Sequence, residues 1–271
     1  MLSISIGPLA LPVAPLLLLG AVWGASWLAS RLAGAQHAAA AGNAVFTAAL
    51  VGLLAARIAH LLLNADVYAD SPLGALDLRD GGWHAPAGAL AGAGWLLWRG
   101  VRVPALRRPL ATAIVVGTVA WVAVSAALGL YDRPPLPTLS LMELGSGTTV
   151  DLTQAARGRP VVVNLWASWC GPCRQEMPML AAAQQREPGV GFLFVNQGES
   201  AATVRAYLAD QRLPLREVLL DAGSQLGRAV DSNGLPTTVF YNARGERVDA
   251  HFGLLNAAAL EVRLRALRPV R

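Results

Sequence analysis

The sequence predicts two structural classes in one chain: an N-terminal bundle of about four membrane-spanning α-helices over residues 1–131, and a C-terminal α/β domain over residues 138–271. Three observations lead there. Apolar residues make up 54% of the 271 and charged ones only 14%, with a mean hydropathy of +0.44, too oily for one water-soluble globule. That apolar excess is concentrated before residue 132. Beyond it, apolar runs alternate with helical stretches, the pattern of β and α units built on one sheet.

The membrane half divides into hydrophobic segments at Pro8 to Ser30, Ala44 to Leu63, Trp83 to Trp98 and Leu110 to Tyr131. All but the third are long enough to cross hydrocarbon at a rise of about 1.5 Å per residue. The third is short and rich in glycine and alanine, which suits a tightly packed helix inside a bundle. A cleaved signal peptide fits the first segment poorly, because it lacks a basic start and its apolar stretch is too long. Arg31 falls in the first loop and Arg99, Arg102, Arg107 and Arg108 in the third, whereas the second carries Asp66, Asp70, Asp77 and Asp80 against Arg79. The positive-inside rule then puts loops one and three in the cytoplasm and everything after Tyr131 outside. Arg57 and His60 lie one turn apart in the second span; two readings stay open, a site within the bundle and a packing or snorkelling role. His84, beside Trp83, reads as an interfacial residue.

Asp132 to Pro137 is a proline-rich spacer, stiff and extended. After it, Leu139 to Leu144 and Thr148 to Leu152 read as a hairpin around Gly145-Ser146-Gly147. Val161 to Trp166 is an apolar run with the character of a buried strand, and it leads to Trp169-Cys170-Gly171-Pro172-Cys173 and then a helix. These are the only two cysteines in the chain. Cys170, just ahead of the helix, would face free backbone N–H groups and the positive end of the helix dipole, which lower a thiol pKa. Cys170 is therefore the expected nucleophile, and Cys173, one turn on and more buried, the resolving thiol. A structural disulfide across so short a ring adds little loop-closure entropy. A zinc site would need ligands from a second chain, since no histidine or third cysteine lies near, so no metal is expected.

Trp169-Cys170-Gly171-Pro172-Cys173, with Pro178 further along and Gly234-Leu235-Pro236-Thr237-Thr238 downstream, resembles thioredoxins. Cys170 to Pro178 is similar to the TlpA/ResA group of membrane-tethered thioredoxin-like proteins, over about residues 138–271. The resemblance implies a thioredoxin-like fold with a leading hairpin and an inserted αβ unit, no cofactor, and catalysis by dithiol/disulfide exchange. It implies that Glu176 moves protons at the thiols, although an acid early in a helix is also favourable with no function. It puts Asn164 where thioredoxins keep a buried aspartate, a proton acceptor an amide cannot replace. It matches Pro236 to the family's cis proline, with Leu235 offering backbone groups to an extended substrate. Trp169 is assigned with them to the substrate-binding surface, though its ring could equally fill the core. Along the rest, Val190 to Asn196 reads as a strand, Ala201 to Gln211 as a helix capped by Ser200, Leu215 to Leu220 as a strand and Ser224 to Val230 as a helix. Thr237 to Tyr241 and Arg247 to Phe252 read as a closing hairpin, and Asn256 to Leu267 as the last helix. Pro178 is read as a structural kink and Glu199 as a solvated helix start.

In the membrane half, Ile4 to Leu11, the Arg57 segment ending at Asn64 and Gly81-Gly82-Trp83-His84 resemble the first half of prolipoprotein diacylglyceryl transferases. The pattern departs where Ala85-Pro86 follows His84, and the family's later arginine/asparagine signature is absent. This implies a shortened scaffold whose transferase activity is lost or changed.

The expected function is a protein disulfide reductase on the outer face of a bacterial inner membrane, multi-pass, with its redox domain in the periplasm. Its expected partners are the bilayer and disulfide-bearing protein substrates, apocytochrome c among them by resemblance. The predicted spans hold no cysteine, so a separate DsbD- or CcdA-like electron donor is implied. A disulfide oxidase, a lipid-modifying transferase with an accessory redox domain, and a peptide binder without turnover are the alternatives. The net charge of +5 comes without basic stretches interleaved with aromatics, so no nucleic acid partner is expected.

Overall fold

A computed structural model describes residues 3–6, 9–69, 72–127, 133–156, 158–232 and 234–268. Pro8, Asp70, Tyr131 and Asp132, which figure in the expected span ends, second loop and domain boundary, lie outside the described residues, as does the side chain of Arg79. The chain divides into two compact units: Val13–Asp70 with Gly82–Tyr131, and Met1–Pro12 with Ser71–Gly81 and Asp132–Arg271.

The helical unit comprises α1 (Val13–Leu32), α2 (Ala38–Leu63), the short α3 (Ala65–Ala69), α4 (Ala85–Arg102) and α5 (Arg107–Ala127). Pro15 falls in the first turn of α1, where a missing N–H costs nothing. Among the described residues three helices, Pro15–Leu32, Ala38–Leu63 and Pro104–Val124, are long and apolar enough to cross a membrane. The third expected segment, now α4, is not among them, because its glycines and Arg99 and Arg102 dilute the apolar run. Its small residues serve packing. A Cβ placed on Gly88 would lie 2.9 Å from the Gly52 carbonyl oxygen, and one on Gly92 3.1 Å from that of Ala48, so α2 and α4 approach at backbone distance.

The second unit opens with a hairpin of β1 (Ser3–Ile6) and β2 (Leu9–Pro12). Its main body holds β3 (Ser140–Glu143), β4 (Thr149–Asp151), α6 (Leu152–Ala156), β5 (Val161–Trp166), α7 (Gly171–Arg186), β6 (Gly191–Gln197), α8 (Ala201–Asp210), β7 (Val218–Asp221), α9 (Gln225–Ala229), β8 (Thr237–Tyr241), β9 (Arg247–Phe252) and α10 (Ala257–Leu267). They form one seven-stranded sheet in the order β4-β3-β7-β6-β5-β8-β9. β5 runs parallel to β6, with Trp166 opposite Asn196, and antiparallel to β8, with Leu165 opposite Thr237. Every residue of β5 is buried, as its β-branched run requires.

Strand alternation sorts the core into two layers. Val162, Trp166, Phe192, Phe194 and Phe240 pack on one face under α7 and α10, through Met177, Leu180, Leu260 and Leu264. Val161, Val163, Leu165, Leu193 and Val195 pack on the other against Leu152 of α6 and Leu226 of α9.

Some boundaries differ from expectation for visible reasons. Residues 215–217 stay outside β7, because Glu217 takes a φ of 58°. α9 runs from Gln225 to Ala229 and leaves out Ser224, which takes a φ of 48°, and the Asp221 carboxylate accepts from the N–H groups of Gln225 (2.9 Å) and Leu226 (2.8 Å). Within the spacer, Pro135 bridges to Glu246, the Leu136 N–H donates to the Gly245 carbonyl (2.7 Å), and Leu136 is buried in the core.

Replacing Gly88 by leucine should destabilise the helical unit by about 1–3 kcal/mol through overpacking, read as thermal loss of helical signal in detergent. Gly94→Leu, where a Cβ meets nothing within 4 Å, should be neutral or mildly stabilising.

Candidate active site

Cys170 is the N-cap of α7: its sulfur accepts from the Cys173 N–H at 3.2 Å, and its own N–H donates to the Ala167 carbonyl at 3.2 Å. The two sulfurs are joined as a disulfide. Cys170 retains 5% exposure and Cys173 none, so the cysteine at the helix start is the one that reaches solvent. Gly171 and Pro172 begin the helix exposed, where the proline costs no hydrogen bond. Trp169 is 71% exposed beside them, which rules out the core-filling alternative for its ring.

The loop carrying Cys170 is tied down by a residue the sequence undersold. Glu199, read as a solvated helix start, is half-buried and accepts hydrogen bonds from the Ser168 N–H (2.7 Å), the Ser168 hydroxyl and the Asn196 side-chain amide (2.6 Å). Ser200 caps α8 as expected. Nothing in the local pattern of Asn196 to Glu199 signals the clamp, because its partner comes from a different βα turn.

Three residues after Cys173 on α7, Glu176 is 1% exposed. Its carboxylate accepts from the Asn164 amide at 2.8 Å and from the Leu255 N–H at 2.9 Å, and the same amide nitrogen donates to the Thr238 hydroxyl at 3.0 Å. Burial pushes the Glu176 carboxyl up to about 7, against the lowering effect of those two donors. Asn164 thus holds the acid in place and does no proton work itself. Glu176 and Cys173 are three residues apart on α7 and both face inward.

Pro236 directly precedes β8, whose Thr237 pairs with Leu165, so Leu235 and Pro236 lie at the sheet edge from which the Cys170 loop departs. The Leu235–Pro236 peptide is cis. Pro178 lies inside α7, exposed, with the helix continuing to Arg186.

In the helical unit, Arg57 is buried and donates to the Gly82 carbonyl at 2.9 Å, with its guanidinium 5.7 Å from the Tyr68 ring centroid. His60 lies 3.3 Å from the Tyr68 hydroxyl. His84 caps α4, its Nδ1 accepting from the Ala87 N–H at 3.2 Å.

Comparison with known proteins matches residues 133–250 to the Redoxin family. The thiol:disulfide interchange protein DsbE of Pseudomonas fluorescens biotype C is 33% identical over 146 residues, covering 50% of this chain and 80% of that protein. The chain belongs to the DsbE type of thiol:disulfide oxidoreductase. The thiol-disulfide oxidoreductase ResA of Bacillus subtilis is similar at 28% identity, over 48% of this chain and 72% of its own. A solved thioredoxin-family thiol:disulfide interchange protein from Chlorobium tepidum TLS aligns at a TM-score of 0.44 and 23% identity, over 50% of this chain and 96% of that one. This DsbE-type protein is accordingly an enzyme of thiol/disulfide exchange.

The state of Glu176 makes stability depend on pH. Its folded carboxyl keeps its proton to about pH 7 and the unfolded one releases it near 4.5, so the folded state holds the extra proton between those values. Stability is lost as pH rises through that window. Relative to the parent, oxidised Glu176→Gln should gain on the order of 3 kcal/mol between pH 4 and pH 8. Denaturant titration of both chains in detergent at the two pH values, followed by tryptophan fluorescence, measures it.

Proposed function

We propose that this chain is a membrane-anchored protein disulfide reductase whose redox domain works on the outer side of a bacterial inner membrane. The observation that carries the reading is the asymmetry of the two sulfurs: one is an N-cap that keeps some exposure, and the other is fully buried, three residues along the same helix from an acid whose carboxyl is pushed up to about 7. The reduced Cys170 thiolate attacks a substrate disulfide, forming a mixed disulfide and expelling one substrate thiolate. Cys173 passes its proton to the Glu176 carboxylate and attacks the Cys170 sulfur, expelling the second. The substrate thiolates take up one proton from Glu176 and one from water, and the Cys170–Cys173 disulfide remains. Trp169 and the backbone of Leu235, next to the buried Pro236, meet an extended substrate segment.

Turnover then needs two electrons from a dithiol donor in the membrane, of the DsbD or CcdA kind, because helices α1 to α5 contain no cysteine. The three long apolar helices support the role of anchor for the helical unit. The taking up of His84 Nδ1 by the start of α4 supports a structural part for that residue. The DsbE and ResA relatives support a client with a reducible cysteine pair, of which apocytochrome c before haem attachment is our first choice.

A Cys173→Ser chain should accumulate a mixed disulfide on Cys170 with its client in intact cells, visible as a reductant-sensitive adduct. Cys170→Ser should trap none. Equal trapping by both variants would contradict the assigned roles, and a client already oxidised by the wild-type chain would reverse the direction.

A further inference from the structure

His251 is a buried histidine that the exchange chemistry leaves without a task. It sits on β9, 5% exposed, with Nε2 3.1 Å from the Leu254 carbonyl oxygen. A carbonyl only accepts, so Nε2 carries the proton and donates. The peptide that begins at that carbonyl ends at the Leu255 N–H, and this N–H donates to Glu176 at 2.9 Å. One peptide group therefore stands between the imidazole and the active-site carboxylate, with a hydrogen bond at each end.

We propose that His251 is a positioning residue for the proton chemistry of Glu176, acting through the Leu254–Leu255 peptide. A hydrogen bond accepted by a carbonyl polarises its amide and makes the N–H at the other end a stronger donor. The stronger that donor, the better it holds the carboxylate form of Glu176, so His251 lowers the pH at which the acid releases its proton. In addition it fixes the turn that aims the Leu255 N–H inward.

The surroundings keep the imidazole neutral for this task. Arg263 of α10 stands next to it, bonded to the Asp249 carboxylate (2.7 Å) and the Asp80 carbonyl (3.2 Å). Burial first and the Arg263 charge second hold His251 below the usual histidine range, opposed by the Leu254 bond and the charges of Asp249 and Asp80. Facing Glu176 itself are the Asn164 amide from β5 and the Leu255 N–H, with Cys173 three residues earlier on its own helix. Two charge-neutral donors thus set its carboxylate against a large burial effect, and a change in either one is felt directly.

The inference rests on the reading of Glu176 as the proton acceptor for Cys173, and its test separates the two. The full chain in detergent is titrated by infrared spectroscopy, with the Glu176 carboxyl band assigned by its loss in Glu176→Gln. His251→Phe and His251→Asn, which lack a donor that reaches Leu254, should raise the midpoint of that band by a few tenths of a pH unit. His251→Gln, whose amide can reach it, should restore the wild-type midpoint. An unmoved midpoint in the folded loss variants overturns the proposal and leaves the role of Glu176 intact. A midpoint that moves while the pH profile of disulfide reduction stays put upholds the relay and removes Glu176 from the proton path. Should neither loss variant fold, the Leu255 amide proton of the wild-type chain decides: it must follow two titrations, those of Glu176 and His251, and a single inflection overturns the proposal.

Discussion

The hydrogen bond from the Cys173 N–H to the Cys170 sulfur is the interaction on which the rest of the redox domain turns. The first N–H groups of any helix lack partners inside it, and together they present a partial positive charge. Here a sulfur occupies the place usually taken by a serine or aspartate oxygen. That position needs a helix starting immediately beyond a central strand, and β5, buried throughout and flanked by β6 and β8, supplies the strand. The clamp of Glu199 on Ser168 holds the intervening loop from a second βα turn. Sulfur chemistry at the surface is thus anchored by hydrogen bonds one layer below it.

The opposite requirement governs Glu176. A carboxyl placed in the apolar layer under α7 is costly to ionise, and the two donors that face it recover only part of that cost. The group is then poised between its two forms at neutral pH, the condition that the proposed acid/base partnership with Cys173 requires. The same helix therefore stabilises an anion at its first residue and opposes one a turn and a half later. Depth within the domain makes the difference, since both residues belong to α7 or its cap.

Much of this was legible in the amino-acid order. The apolar run of β5, the Cys-x-x-Cys turn, the helix after it and the closing hairpin of β8 and β9 all announce themselves through local composition, and the burial order of Cys170 and Cys173 follows from helix geometry. What escaped is what depends on residues meeting from distant segments. Glu199 looks like any acid at a helix start until Ser168 is folded onto it. The donation of Leu255 to Glu176 is a backbone contact across 79 positions, which no side-chain pattern encodes, and His251 in an edge strand carries no signal of its own. The late start of β7 reflects the backbone of Glu217, a residue with no strong preference for positive φ. In the helical unit, composition gave the helices, while the small residues of α4 proved to matter for contact with α2 more than for span length.

The account stands or falls on the ionisation of Cys170 in the reduced protein. Alkylation rates of the full-length reduced chain, followed by peptide mass across a pH series, measure it directly. The helix-start placement predicts that Cys170 is modified first, with a midpoint well below the free-cysteine value of about 8.5, and that Cys173 follows at higher pH. A midpoint for Cys170 at or above that value, or modification of Cys173 ahead of it, would contradict the account.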